Sequence, residues 1–399
     1  MKQLKIPSMF ASALWFVATI VQSNNSLVQA PEINIGDNNI DYYELQETTP
    51  ELTAAFIDTT PAQRDDGLKV GTLSSHPLAE KILTELGKEI ENNKHTRYDS
   101  ILISKNDQLL FESYYLKGRV NLPHSQASAT KTYVTLAVGR AIQLGYLTMA
   151  DLHKPVVSFL KGLDALKFAK GVDTITLDHT MSMRSGIRIN EKFLDALDKK
   201  ANKLTRQELV QAYFSKSSTI TESSQVYKYQ RSDPRITMLV LDSVVPRGAE
   251  NFIKRELLNK IGIRTYGWEI NFGILEGNYS AMLTSRDMLK LGRLMNDKGL
   301  WNKEQLIPTG FMDKAASKIA IPHSNEYDYS NFDYGYYIWQ TDMKVDKKSY
   351  RCKLAWGGGG QYVIVFDELN LVIAVTARSR GTKDTTLELI EKRVLPLFT

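Results

Sequence analysis

Cysteine is nearly absent from this chain: Cys352 is the only one in 399 residues. No internal disulfide can form, so stability has to come from the packed core. Cys352 lies between Arg351 and Lys353 in an alternating apolar–polar run, which reads as strand packing rather than as a nucleophile. A G-x-S-x-G elbow is missing as well, which removes the main support for an α/β-hydrolase. There is no H-E-x-x-H, and His76, His95, His124, His153, His179 and His323 show no ligand spacing. No metal is therefore expected, and no organic cofactor is called for. An excess of one charge is also missing: 50 Lys and Arg are interspersed with 45 Asp and Glu, for a net +5. A nucleic-acid partner would need basic residues gathered on one stripe, so none is expected. No apolar run reaches the roughly 20 residues that cross a bilayer.

What is present begins with a processing signal. Lys2 and Lys5 precede an apolar run from Met9 to Val21 and a polar stretch from Gln22 to Asn25. That order is the pattern of a secretory signal peptide. Cleavage after Ser23, with Val21 at −3, fits the small-residue rule; Ala30 fits too, but Pro31 follows it. No Cys near the junction supplies a lipid anchor, and removal of residues 1–23 leaves a charge of +3. The expected product is periplasmic or secreted, with no stable membrane span after processing.

The remainder is long enough, at 43% hydrophobic and 24% charged residues, to bury a core or two lobes. Residues 24–75 are polar and aperiodic and read as an extension that wraps the domain. Leu78, Ile82, Leu83, Leu86 and Ile90 predict a helix over 76–92, and Lys105-Asn106-Asp107 predicts a hairpin. A helix should follow Ser128, with Val134, Ala137, Val138, Ala141 and Ile142 inward and Gly145 ending it. The middle of the chain is helical in pattern; one example is Ser285 to Asp297, with Ser285 as the expected cap. The period then changes to two. Tyr334–Thr341, Ser349–Trp356, Gln361–Phe366 and Leu371–Ala377 read as strands, and 384–395 reads as a closing helix. The expectation is an α+β fold: one antiparallel sheet built from both chain ends, residues 76–145 and 325–399, flanked by helices. Residues 146–324 would form a mostly helical inserted lobe.

The chemistry centres on Ser128-Ala129-Thr130-Lys131 at the start of a predicted helix. A three-residue offset puts both side chains on one face, and the helix N-terminus favours an alkoxide and a developing oxyanion. A desolvated Lys can lose its proton near neutral pH and take the proton of the hydroxyl. Alone, this tetrapeptide is equally compatible with a capping Ser and a solvated Lys.

Its setting adds specificity. From Gly67 to Phe398 the chain resembles the serine β-lactamase and penicillin-binding superfamily, in its class C-like esterase and 6-aminohexanoate-dimer hydrolase branch. His124 to Lys131 resembles the first motif of that branch, and Leu177 to Ile187 the segment that follows it. Tyr227-Lys228-Tyr229-Gln230-Arg231-Ser232-Asp233 is similar to its tyrosine-centred motif. Leu283 to Met288 resembles a recurring helix start, and Trp356-Gly357-Gly358-Gly359-Gly360-Gln361 the Gly-rich third motif. The resemblance implies Ser128 as nucleophile, Lys131 as base, and Tyr229 sharing the base role or delivering the proton to the leaving group. It implies an oxyanion hole from the backbone N–H groups of Ser128 and Gly359. Trp356, Gly358 and Arg231 would contact substrate.

Two departures stand out. Arg231 replaces the Asn or Ser of many relatives; it would either press on Lys131 or point outward to a substrate carboxylate. The register could also slip, making Tyr227 the catalytic tyrosine. Trp356 stands where β-lactamases carry Lys, as the esterase branch also does. His179 reads as a buried, hydrogen-bonded histidine. Glu191 to Asp195 resembles a deacylation signature of another β-lactamase class and reads as chance or as cleft lining. The aromatic residues Tyr327, Tyr329, Phe332, Tyr334, Tyr336, Tyr337 and Trp339 read mostly as strand packing. The expected reaction is hydrolysis of a carboxylic ester or small amide through an ester on Ser128. β-Lactam hydrolysis or D-alanyl-D-alanine carboxypeptidase activity is one rival, and a non-catalytic acyl-binding or envelope scaffold is another.

Overall fold

A computed structural model of the chain describes residues 29–35, 40–322, 331–379, 381 and 383–399. The expected signal segment, His323, Tyr327 and Tyr329 lie outside the described residues.

The early hairpin forms where the sequence placed it. Strands β3 (Tyr98–Lys105) and β4 (Gln108–Tyr114) are joined by Asn106 and Asp107, with φ of 50° and 64°. Two residues at positive φ make the turn whose twist matches the strands, and Asn and Asp tolerate it best after Gly. The late strands are β8 (Trp339–Val345), β9 (Lys348–Gly357), β10 (Gln361–Phe366) and β11 (Leu371–Ala377). β11 pairs antiparallel with β3 in register Ile373 to Ile103, so the two ends of the chain close one sheet. Among the described residues its order is β1-β4-β3-β11-β10-β9-β8-β7, where β1 is Phe56–Asp58 and β7 is Asp333–Tyr334. β10 and β11 are buried on both faces, which explains their continuous apolar runs.

The polar extension does more than wrap. It supplies α1 (Tyr42–Thr48), capped by Asp41, and the edge strand β1 (Phe56–Asp58), antiparallel to β4. β2 (Lys69–Val70) pairs parallel to β4, and α2 (Pro77–Glu91) follows it. β5 (His124–Ser125) then leads to the helix α3 (Thr130–Gln143), and β5 pairs with β6 (Met282–Leu283).

Three local expectations need correction. The segment Tyr334–Thr341 is not one strand: Tyr337 has φ of 52°, and the chain breaks between β7 and β8. The cause is α3, where Thr132 and Thr135 hydroxyls take the Tyr337 and Tyr336 carbonyls at 2.7 Å each, removing them from the ladder. The helix Ser285–Asn296 is capped by Thr284, whose hydroxyl accepts from Asp287 N; Ser285 instead bonds Ser100 on β3 at 2.6 Å. That helix also packs across β3, β10 and β11, so it belongs to the sheet and not to the helical lobe. The closing segment is regular only over Thr386–Leu389, then widens over Ile390–Val394 before a tight turn at Leu395–Leu397.

The helical lobe includes α4 (Glu191–Asp198), α5 (Arg206–Lys216) and α6 (Ser232–Val244). α3 packs against both α6 and the sheet, which makes it the shared element between the lobes.

Candidate active site

Ser128 sits half-buried in a tight turn, Ala127–Ala129, that runs directly into α3. Ala127 before it has φ of 45°, a left-handed conformation that costs an alanine roughly 1–2 kcal/mol. The turn is held by Gln126, which is fully buried and joins the Tyr133 hydroxyl at 2.8 Å and the His124 carbonyl at 2.9 Å. Neither the Ser128 nor the Gly359 N–H donates to a backbone carbonyl among the described residues.

Lys131 lies one turn further along α3 and is 2% exposed. Its ammonium donates to Ser128 Oγ at 3.0 Å and to the Asn278 carbonyl at 2.8 Å. The third neighbour is the face of Tyr229, whose ring centroid is 4.8 Å from Nζ. No carboxylate pairs with Lys131 among the described residues. Of the two tyrosines in the second motif, Tyr229 is thus the one against Lys131. Tyr227 is buried instead, with its ring 5.2 Å from Tyr334 and 6.5 Å from Trp339.

The tyrosine segment is stitched to the loop before α4 by Asp233. Its carboxylate accepts from Ser185 Oγ at 2.7 Å and Gln230 Nε2 at 2.6 Å. Burial pushes that carboxyl up to about 6, although the hydrogen bonds from Ser185 and Gln230 pull the other way.

Arg231 lies two residues beyond Tyr229, and its guanidinium meets Glu191, Asp195 and Asp198 of α4 at 3.1, 3.0 and 2.6 Å. It therefore neither presses on Lys131 nor stands open to a carboxylate. Glu191 and Asp195 have a role as its partners.

The Gly-rich turn joins β9 to β10. A Cβ on Gly357 would come within 2.1 Å of the Gln126 carbonyl, so bare backbone is needed for the strand to approach the Ser128 turn. Gly359 has φ of 92°, and its carbonyl accepts from Ser379 N at 3.1 Å. Gly358 is exposed, and a Cβ there would meet nothing within 4 Å. Gly358 and Gly359 border a cavity of about 210 Å³ that Tyr43 and Gln46 of α1 also line, so the extension lies beside the Gly-rich turn.

Trp356 is half-buried and stacks on Tyr362 at 5.7 Å with an interplanar angle of 17°. Phe332 lies 5.5 Å away and Trp339 5.2 Å away. Trp339 in turn lies 5.9 Å from Tyr229, so a continuous row of rings runs from Tyr229 to Trp356. The aromatic run is therefore both packing and one side of the site.

Other sequence readings resolve simply. His179 is half-buried, its Nδ1 accepts from Thr176 N at 3.3 Å, and burial lowers its pKa. Burial pushes the Cys352 thiol up to about 12, which suits strand packing and not nucleophilic attack. Asn278 went unnoticed in the sequence because it acts through its carbonyl, which has no side-chain signature.

No family model matches this chain, and no curated protein matches its sequence. Solved structures do match in fold. A Bacillus anthracis protein assigned as a 6-aminohexanoate-dimer hydrolase superposes with a TM-score of 0.62 at 15% identity, covering 89% of this chain and 92% of that one. A D-stereospecific amidohydrolase from Streptomyces gives 0.58 at 13% identity, covering 77% and 98%. EstCE1, a hydrolase with promiscuous acyltransferase activity, gives 0.61 at 13% identity, covering 79% and 99%.

Proposed function

We propose that this chain, which has the fold of serine β-lactamases and penicillin-binding proteins, hydrolyses carboxylic esters or small amides through an acyl-enzyme on Ser128. The observation that carries the reading is the contact of a buried Lys131 with Ser128 Oγ at 3.0 Å, at the start of α3 and beside Tyr229.

In this reading Lys131 takes the hydroxyl proton while Ser128 Oγ attacks the acyl carbon. The Ser128 and Gly359 N–H groups stabilise the oxyanion. Collapse expels the leaving group, which takes a proton from the Lys131–Tyr229 pair. Water then attacks the ester carbonyl, passing a proton to the Lys131–Tyr229 pair; collapse returns a proton to Ser128 Oγ and releases the carboxylic acid. The aromatic row from Tyr229 to Trp356 offers a flat apolar surface to an acyl chain or a neutral leaving group. The engagement of Arg231 by three carboxylates supports the ester or amide reading over a β-lactam, because the Arg231 guanidinium is already committed and does not reach out to an antibiotic's carboxylate.

The proposal includes export, on the strength of Lys2, Lys5 and the apolar run Met9–Val21. Intact-mass measurement on the expressed protein tests both parts. The expected product begins near Asn24 and gains one fluorophosphonate adduct, which disappears in Ser128→Ala together with turnover. An adduct that persists in Ser128→Ala, or a cytoplasmic product retaining Met1, would contradict the corresponding part.

A further inference from the structure

A second concave site lies apart from the cleft. The loop that follows α2 and the C-terminal helical segment border an open groove of about 570 Å³, within the range typical of small-molecule sites. Lys94, Arg97, Lys383, Lys392 and Arg393 line it together with His95, and Glu388 is the carboxylate among the lining residues. None of these residues belongs to the catalytic arrangement around Ser128.

The charges are only partly answered. Glu388 pairs with Lys392 at 2.6 Å. Behind the lining, Glu89 takes both Arg393 and His95 at 3.0 Å, and Glu51 takes Arg97 at 2.7 Å. Lys392, Arg97 and Arg393 thus each meet a carboxylate, whereas the Lys94 ammonium has no side-chain partner among the described residues. Each guanidinium presents five N–H donors, more than its carboxylate contacts use. Thr96 and Thr385 add hydroxyls 3.2 Å apart, and Leu389 adds an apolar patch. Like charges gathered in a concavity with low-dielectric walls focus their field and concentrate counter-ions.

We propose that this groove binds a phosphate group, carried by a small molecule or by a lipid headgroup. Phosphate matches the donors better than a single carboxylate does: it carries up to two charges and several acceptor oxygens, so donors from both wall segments can engage it together.

Calorimetric titration of the purified protein with inorganic pyrophosphate tests the site, and sedimentation with phosphatidylcholine vesicles, with and without phosphatidylglycerol, separates the two sources. Lys94→Gln/Lys392→Gln should weaken binding by about 10-fold or more, the loss of at least one charge-assisted contact. Glu388→Gln should tighten it several-fold, a gain that misfolding cannot imitate. Lys154→Gln, which removes a lysine paired with Asp151 in the other lobe, should leave it unchanged. Weakened pyrophosphate binding in the double variant supports a soluble ligand, and loss of phosphatidylglycerol-dependent sedimentation supports a headgroup. Absence of both kinds of binding at millimolar phosphate, or equal binding by wild type and the double variant, overturns the proposal. So does an equal loss in Lys154→Gln, which would reduce the effect to general charge.

Discussion

The two sides of the cleft are built by different physics. On the nucleophile side, one buried ammonium is fixed by two directional oxygens, Ser128 Oγ and the Asn278 carbonyl. On the other side, Trp339 and Trp356 are held by ring packing with Phe332, Tyr334 and Tyr362, at centroid distances between 4.7 and 5.7 Å. Directional contacts to a buried charge fail sharply when one partner goes, because the remaining groups lose their compensation. Packing contacts are many and individually small, so they degrade gradually. The first side should therefore be intolerant of change, and the second should shift preference before it loses function.

The largest effect is expected on the directional side. Lys131→Ala removes the group on Ser128 Oγ and should lower kcat/KM by about 10²- to 10⁴-fold, the usual span for a positioned base. If steady-state kinetics on a p-nitrophenyl ester show Lys131→Ala within a few-fold of wild type, the contrast between the two sides disappears.

A smaller, more structural effect comes from the turn that joins them. Gly357→Ala drives a methyl into the Gln126 carbonyl, 2.1 Å from the ideal Cβ. Overpacking of this kind costs roughly 1–3 kcal/mol, and the shift of Ser128 should slow acylation by up to about 100-fold. Gly358→Ala has open space and should stay within about 0.5 kcal/mol of wild type. Denaturant melts and fluorophosphonate labelling rates of the pair measure this. Equal behaviour would mean that the close approach of β9 to the nucleophile's turn does not constrain the site.

These contrasts also explain what could be read in the sequence. The Asn106-Asp107 hairpin and the alternating late strands were legible because their causes are local: turn conformation and a period of two. The contact between Ser128 and Lys131 was legible for the same reason, since a three-residue offset puts them one helical turn apart. Arg231 was not, since its partners lie 33 to 40 residues away on α4 and two outcomes fitted the motif equally. The break between β7 and β8 was hidden too, because Thr132 and Thr135 capture those carbonyls across the fold. The motif resemblance favoured Tyr229 over Tyr227, and the remaining alternative of a slipped register turned on which ring meets Lys131, which the fold decides. The extension's place beside the Gly-rich turn was hidden because Tyr43 and Gln46 share a cavity with Gly358 and Gly359, more than 300 positions away.

The smallest expected effect tests the aromatic side. Trp356→Lys replaces a half-buried indole, stacked on Tyr362 and beside Phe332, with an ammonium on a flexible stem. The fold should survive, because the remaining rings keep packing on Trp339 and the lysine head can reach the open cleft. What should change is preference. A new charge-assisted hydrogen bond to a β-lactam carboxylate contributes roughly 1.5–3 kcal/mol, or about 10- to 100-fold in affinity. Arg231 sets the lower end as the expectation: with its guanidinium held by Glu191, Asp195 and Asp198, no second cation assists from that side. The ratio of kcat/KM for a p-nitrophenyl butyrate-type ester to that for nitrocefin should fall about tenfold in Trp356→Lys, with wild type favouring the ester. Wild-type protein that prefers nitrocefin would instead make the chain a β-lactamase whose carboxylate anchor lies away from Trp356.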